Sequence, residues 1–405
     1  MSEPVSHAME DVRTPARGFA PLAALLTGQR LPAIAARLGI ALARRRGRPW
    51  RLFKTVIVAR HADVAEALRR DVDFIIAPVN EAKIEAVNGP FVLGMDRSDR
   101  LERERHALYA ALQEVDVAAL AARMRERMNN RLAGLGENFD AISDYARPLA
   151  AATAMDLFGI APKDEALFAE VARAIFAHTF LNPGNQKPIE RRALAAAPIL
   201  RQWLGDEIAA RRRRGETGQD YMGRLLARAD LDDDGVRRTL GGMLVGSIDT
   251  TVTALAKILI VAVNTPPLRN ALASAWNRGE DIYGLCLEAL RRWPHNPLVL
   301  RNVAADTKLA GTTVRAGDRV ALWTQAAMLD PEAFPDPGLI RPDRSWGSYL
   351  HFGGGLHPCA GRRINAQQLP LLVGPLLARG VRRNGALRWA GPFPDHLPIR
   401  LAEPA

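Results

Sequence analysis

A chain of 405 residues that is 48% hydrophobic, 24% charged and 6% aromatic has a globular composition, neither disordered nor fibrous, and can bury a large core. Its net charge of +11 comes from 55 basic against 44 acidic side chains, nearly all the cations being arginine; they are scattered and accompany no nucleic-acid motif, so nucleic-acid binding is not expected. Two cysteines, Cys286 and Cys359, exclude a disulfide framework. The first residues lack a secretory pattern, and the longest stretch without charge or histidine, 364–378, is too short and polar for a bilayer needing ~20 residues; the expected location is cytoplasmic.

Residues 1–30 mix proline, glycine and charge and predict a flexible N-terminal arm. Leu31 to Arg46 reads as an Ala-rich helix ending in Ala43-Arg44-Arg45-Arg46, a solvated end whose cations suit the helix dipole. Such a basic amphipathic stretch is compatible with an anionic membrane surface, although membrane contact is not expected. Arg51 to Val58 alternates and is rich in β-branched residues, predicting a strand, after which Asp63 is read as the cap of a helix through Arg70. Between Asp71 and Met95 no period survives Pro78, Gly89, Pro90 and Gly94, which predicts a long loop.

From Arg97 to Asn264 apolar residues recur at helical spacing, interrupted at Gly134-Leu135-Gly136, Pro162, Pro183-Gly184 and 215–218. Asp232-Asp233-Asp234 opens a helix to about Val263, roughly 32 residues against a mean near 11, and a helix of that length usually crosses a domain's centre. Another helix ends at Arg292-Trp293-Pro294. Leu298 to Val320 turns β-like around Gly311 and Gly317, and Pro331 to Trp346 is a Pro/Asp-rich meander. A glycine run, a last helix containing Pro370 and Pro375, and β-like segments to Leu401 complete a mainly α chain with a small β region.

The strongest chemical signal is His351-Phe352-Gly353-Gly354-Gly355-Leu356-His357-Pro358-Cys359-Ala360-Gly361, directly ahead of that last helix. Its glycines let backbone pass close to something flat or bulky. Cys359, at a helix entrance, has amide donors and a positive dipole end near its sulfur, which favours the thiolate that a metal ligand requires. Two other readings are an inert thiol in a Gly loop and a zinc site using His351, His357 and Cys359. The second lacks a fourth ligand, since Cys286 lies on a distant helix.

This segment resembles the haem-binding loop of the cytochrome P450 family, Phe-Gly-x-Gly-x-(His/Arg)-x-Cys-x-Gly, through Phe352, Gly353, Gly355, His357, Cys359 and Gly361. The resemblance implies the mainly α cytochrome P450 fold, with many helices around a buried haem and a single catalytic domain over 31–405. It also implies heme b (iron protoporphyrin IX), with Cys359 as axial iron ligand and His357 reaching a propionate. Glu288-Ala289-Leu290-Arg291 alone is an ordinary i, i+3 pair. It stands where the family has Glu-x-x-Arg, and Arg341-Pro342-Asp343-Arg344 is similar to the later Pro-x-Arg element, so Glu288, Arg291 and Arg344 are expected to form an ion network holding the cysteine loop.

In the long helix, Gly246 precedes Thr250 by four residues, so the hydroxyl can bond back to the Gly carbonyl and open the helix for a small ligand. By resemblance this is the oxygen-binding groove, with Ser247 where the family usually has Gly, and Asp249 and Thr250 are the acid-alcohol pair that relays protons. A buried polar pair is the plain alternative. Arg301 is matched to a propionate-binding arginine, while Arg100, Arg103 and Arg105 compete for a second such place.

The expected activity is insertion of one oxygen atom from O2 into a small hydrophobic substrate by a monomeric monooxygenase. An acidic ferredoxin or flavodoxin supplies the electrons, docking near Arg362 and Arg363, which Arg100 to Arg105 could join. The alternatives are a peroxide-using or rearranging haem-thiolate enzyme, against which Asp249 and Thr250 argue, and a non-catalytic haem sensor. Apolar contacts to substrate are expected from the loop Phe74 to Met95, Phe176 to Leu181, Leu244, Val245, Leu298, Val299 and Phe393.

Overall fold

The computed structural model describes residues 39, 42, 45, 47–216, 218–390 and 393–402. The arm expected over 1–30 lies outside the described residues. Of the helix expected over Leu31 to Arg46 only Gly39, Leu42 and Arg45 are described, all three helical. The chain divides into two compact units.

The described part of the first unit, residues 80–127, 145–216 and 218–252, contains no strand. Its helices begin and end where short polar residues and glycines allow. Ser98 Oγ accepts from the Leu101 amide at 3.1 Å to open Asp99–Gln113, and Asp164 Oδ1 accepts from Leu167 N at 2.9 Å to open Glu165–Leu181. Caps of this kind contribute about 1 kcal/mol each. Gly159 and Gly215, at φ 69° and 66°, close Arg147–Phe158 and Lys187–Arg214 in the left-handed conformation that glycine tolerates. Phe158, Phe168, Leu101, Leu108 and Tyr221 are buried in the core of this unit, the Tyr221 hydroxyl donating to Leu108 O at 3.2 Å.

The long helix spans Asp233–Val263, and Asp232 caps it by accepting from Gly235 N at 2.7 Å. Among the described residues it is the one helix long and apolar enough to cross a membrane; 83% of its most apolar window is buried inside the protein, as in a core helix.

The loop predicted between Asp71 and Met95 is largely helix. Ala77–Asn88 is helical, with Pro78 in the first turn, where a missing N–H leaves no bond unmade, followed by good helix formers. It buries Ile84, Val87 and Asn88 and stops at Gly89, φ 84°. Asn88 Nδ2 donates to Arg238 O at 3.0 Å, and Arg238 Nη1 donates to Pro90 O at 2.6 Å, so the long helix fixes the end of this segment.

Among the described residues all strands belong to the second unit, whose described residues reach Val79, cover 128–144 and resume at Thr253. Five of them form a sheet in the order Trp50–Leu52, Thr55–Val58, Arg319–Leu322, Val299–Val303, Phe74–Ile75, with one parallel pair, Thr55–Val58 beside Arg319–Leu322. The strand predicted over Arg51 to Val58 is therefore a hairpin: Phe53 takes φ 54° and turns the chain, leaving its ring 90% exposed. Asp63 is not a cap either. The helix is His61–Arg69, Arg60 holds the cap position, and Asp63 lies buried in the first turn, its carboxyl pushed up by burial against the pull of Arg60.

Tyr283–Arg292 and Pro266–Asn277 both pack on Arg362–Ala378. The last helix continues through Pro370 and Pro375, and it presses on Trp276 at Gly374, where a Cβ would lie 2.2 Å from the indole.

Candidate functional site

The cysteine loop folds back on itself. The Cys359 amide donates to Phe352 O at 2.8 Å, and Gly353 N donates to Leu350 O at 3.0 Å. Gly353 and Gly355 take φ 68° and 65°; at Gly355 a Cβ would stand 1.7 Å from the Leu68 carbonyl oxygen, so only glycine fits there. Cys359 precedes the first turn of Arg362–Ala378 and has exposed surface. Protein packed around the sulfur pushes its thiol up, against the pull of the Gly361 amide and the Arg362 guanidinium. The donors expected at this helix entrance are present but do not outweigh burial; a coordinated metal cation deprotonates a thiol outright. Arg362 also stacks over the Phe352 ring at 5.3 Å.

Behind the loop, Glu288 and Arg291 are fully buried and bidentate, Nε to Oε1 at 2.7 Å and Nη2 to Oε2 at 2.9 Å. Arg344 Nε lies 3.5 Å from Glu288 Oε1, so the three residues picked from the sequence do meet. Two further donors were not foreseen, the Tyr349 hydroxyl at 2.9 Å and the Arg341 amide at 3.1 Å. Burial alone would raise the Glu288 carboxyl; Arg291, Arg341 N–H and Tyr349 O–H together hold it below the usual range. Arg291 also donates to the carbonyls of Met328, Pro337 and Leu339, fixing the meander that leads to Tyr349 and the loop.

Arg301 is buried on Val299–Val303 and donates to Leu300 O at 2.8 Å, and His357 is half-buried within the loop. His351 is buried, and among the described residues neither of its ring nitrogens is hydrogen-bonded. Among the described residues no cluster of three His, Cys, Asp or Glu side chains could hold a metal ion, which removes the zinc reading.

In the first unit, Thr250 Oγ1 donates to Gly246 O at 2.6 Å, the back-bond expected from their spacing, and Ser247 Oγ donates to Leu244 O at 2.9 Å. Asp249 is buried and its Oδ1 accepts from Arg173 Nη1 at 2.5 Å, with Arg147 Nη2 at 3.6 Å; among the described residues Oδ2 has no hydrogen-bond partner. Arg147 and Arg173 went unnoticed in the sequence, where the only signal was a lone cation in the apolar stretch Glu165–Leu181. Arg100 donates to Glu104 at 2.9 Å, a carboxylate that also pairs with buried Arg238. Arg105 stacks on Tyr109 at 4.9 Å, and Arg103 is exposed.

A cysteine presented at a helix entrance by a glycine cradle, in a loop tied through Tyr349 to a buried ion network, suits a haem with thiolate ligation. The family model described as Cytochrome P450 matches residues 285–379. The mycinamicin IV hydroxylase/epoxidase of Micromonospora griseorubida is 27% identical over 355 residues, 82% of this chain and 85% of its own. The nocardicin C N-oxygenase of Nocardia uniformis subsp. tsuyamanensis is 28% identical over 361 residues, 85% of each chain. In fold, a solved structure of a P450 EryK mutant in complex with erythromycin B matches 95% of this chain and 98% of its own with a TM-score of 0.78 at 24% identity. The protein is a haem-thiolate monooxygenase, an oxidoreductase. The chain is similar to cytochrome P450 proteins, has their fold, and takes iron protoporphyrin IX as cofactor.

Proposed function

We propose that Cys359 is the thiolate ligand of the haem iron in an enzyme that oxygenates a small hydrophobic molecule with electrons from an acidic ferredoxin or flavodoxin. The observation that carries this reading is the loop itself, with Cys359 N–H bonded to Phe352 O and side-chain-free positions at Gly353 and Gly355. When bound, the haem supplies the iron at which dioxygen is reduced and one of its atoms is transferred. Phe352, Gly353 and Gly361 shape the backbone around the ligand, while His357 and Arg301 donate to the haem carboxylates. Arg100, which Glu104 engages, and Arg105 are the candidates for a further donor. Glu288, Arg291 and Arg344 keep the loop rigid.

Gly246, Thr250 and Asp249 handle protons in this reading. Thr250 holds its proton on the Gly246 carbonyl, which leaves its own lone pairs to accept a bond; rotation about the Cα–Cβ bond carries the proton away from that carbonyl. Asp249 Oδ2, without a partner, is the oxygen placed to take and release a proton, while Arg173 holds Oδ1. Buried apolar side chains such as Phe176, Leu181, Leu244 and Val245 favour a hydrophobic substrate. The reading includes a cytoplasmic monomer in which residues 31–405 work as one catalytic domain.

The test is the reduced, carbonyl-bound spectrum. Wild-type protein should show the red-shifted Soret band of cysteinate ligation and Cys359→Ser should lose it; a cysteinate spectrum in Cys359→Ser would overturn the assignment.

A further inference from the structure

His351 stands out among the side chains that the proposed function leaves without a role. It is 4% exposed, and among the described residues neither Nδ1 nor Nε2 has a hydrogen-bond partner. A buried imidazole left wholly unsatisfied forfeits the hydrogen bonds it made to water, so such a group calls for a ligand. Its surroundings are aromatic or cationic: the rings of Phe352 at 4.7 Å, Tyr349 at 5.5 Å and His295 at 6.5 Å, with the Arg362 charge acting on it as well. Next in line is Lys257, whose Nζ donates to Pro294 O at 2.8 Å and His295 O at 3.1 Å, under Trp293 and Phe393.

These groups are donors or cations. Tyr349, the neighbour with an acid beside it, already spends its proton on Glu288. Among the described residues no carboxylate acts on His351, His295 or Lys257, and buried positive groups in proteins are paired. The missing partner is an anion with acceptor oxygens. His351 immediately precedes Phe352, whose carbonyl takes the Cys359 amide, so its imidazole belongs to the same loop that presents Cys359. Of the haem's parts only its two carboxylates are anionic acceptors; the vinyl and methyl groups would leave both nitrogens as they are.

We infer that His351 donates a hydrogen bond to a haem carboxylate, as a cofactor-positioning residue in addition to His357 and Arg301. The inference rests on the haem-thiolate reading. The neutral imidazole that burial enforces has one N–H to give, and a charge-assisted bond from it is worth about twice a neutral one.

The experiment uses holoenzyme carrying haem labelled with carbon-13 at its carboxyl groups, compared as wild type, His351→Leu and His351→Gln. The isotope-edited infrared carboxylate bands should shift in His351→Leu, toward those of a carboxylate with one bond fewer, and His351→Gln, which keeps a donor, should restore most of the wild-type position. Haem transfer to excess apomyoglobin should be about ten- to a hundredfold faster from His351→Leu than from wild type, the loss expected for a bond to a charged group. Unchanged labelled bands in His351→Leu would overturn the inference even if haem were lost faster, because a packing defect alone would explain the loss. Poor haem loading of His351→Leu leaves the Gln variant decisive: labelled bands shifted as far as for a carboxylate lacking that bond, when an amide donor is present, would also overturn it. A wild-type protein without the cysteinate carbonyl spectrum would instead sink the underlying haem-thiolate reading, so the two failures are distinguishable.

Discussion

Glu288 and Asp249 are both buried beside arginine, and they differ in what their second oxygen does. Both oxygens of Glu288 are engaged, by Arg291 twice, by the Tyr349 hydroxyl and by the Arg341 amide. Asp249 has two guanidiniums crowding Oδ1 and nothing on Oδ2. A saturated buried carboxylate has no capacity left for chemistry and fixes its neighbours; a half-satisfied one keeps an acceptor available at the cost of local stability. The contrast separates a brace from a proton carrier more sharply than burial does, since both residues are buried.

Breaking the brace should have the largest effect. Glu288→Ala leaves Arg291 buried without its counter-charge, and Arg291→Ala does the same to Glu288; either should cost about 3–5 kcal/mol. Haem-loaded yield and urea midpoint are the readouts, and near-normal values for both would show that Glu288 is dispensable. Acid should weaken the same brace. The Glu288 carboxyl is held below its ordinary value, so its contribution is present above the unfolded carboxyl's titration and is lost as pH falls through the folded one.

Asp249 should behave oppositely, with folding spared and turnover reduced. Asp249→Asn removes the ionisable oxygen and should slow turnover about a hundredfold, within the usual range for a lost general acid-base. Thr250→Ala should bind haem and substrate nearly as before while diverting reducing equivalents to hydrogen peroxide. Product formed per NAD(P)H consumed reads both. Wild-type rate and coupling in the two variants would make the Thr250–Gly246 bond a purely structural back-bond.

Lys257 is a third case, a buried charge whose hydrogen bonds go to carbonyls alone. Burial pushes its pKa down to about 7 from an ordinary value of 10.5. Between those values the unfolded chain holds a proton that the folded chain lacks, so stability should rise as pH is raised from about 7 toward 10.5, by at most about 1.4 kcal/mol per pH unit. Lys257→Met should flatten that dependence. Parallel urea midpoints for wild type and variant at pH 7 and pH 9 would show that Lys257 does not titrate in this window.

Much of the brace and the loop was legible because the informative residues lie close together in sequence. Cys359, Gly353 and Gly355 sit within one turn-rich segment, and Glu288 and Arg291 share a helical turn. The anionic start of the long helix at 232–234 and the Thr250–Gly246 bond were readable for the same local reason. Arg147 and Arg173 reach Asp249 across 102 and 76 positions, and Tyr349 reaches Glu288 across 61, distances over which no pattern signals a contact. Ala77–Asn88 was hidden differently. Its breakers, Pro78 and Gly89, stand at the two ends, where they delimit a helix rather than forbid one.

The smallest effect should come from charges that nothing buries. Arg362 and Arg363 are exposed just after the ligand loop, and the proposal gives them to an acidic electron donor. Exposed complementary charge raises association rate more than affinity and is screened over a Debye length of ~10 Å at 0.1 M salt. First-electron reduction by an acidic ferredoxin should therefore slow severalfold in Arg363→Glu at low ionic strength and converge on wild type as salt is added. Arg362→Glu should do the same and also disturb the haem environment, because that guanidinium covers Phe352 and acts on Cys359. The two substitutions thus separate docking from ligand electrostatics: a shifted reduction potential is expected in Arg362→Glu alone. Equal reduction rates for wild type and Arg363→Glu at low salt would remove this face as the docking site.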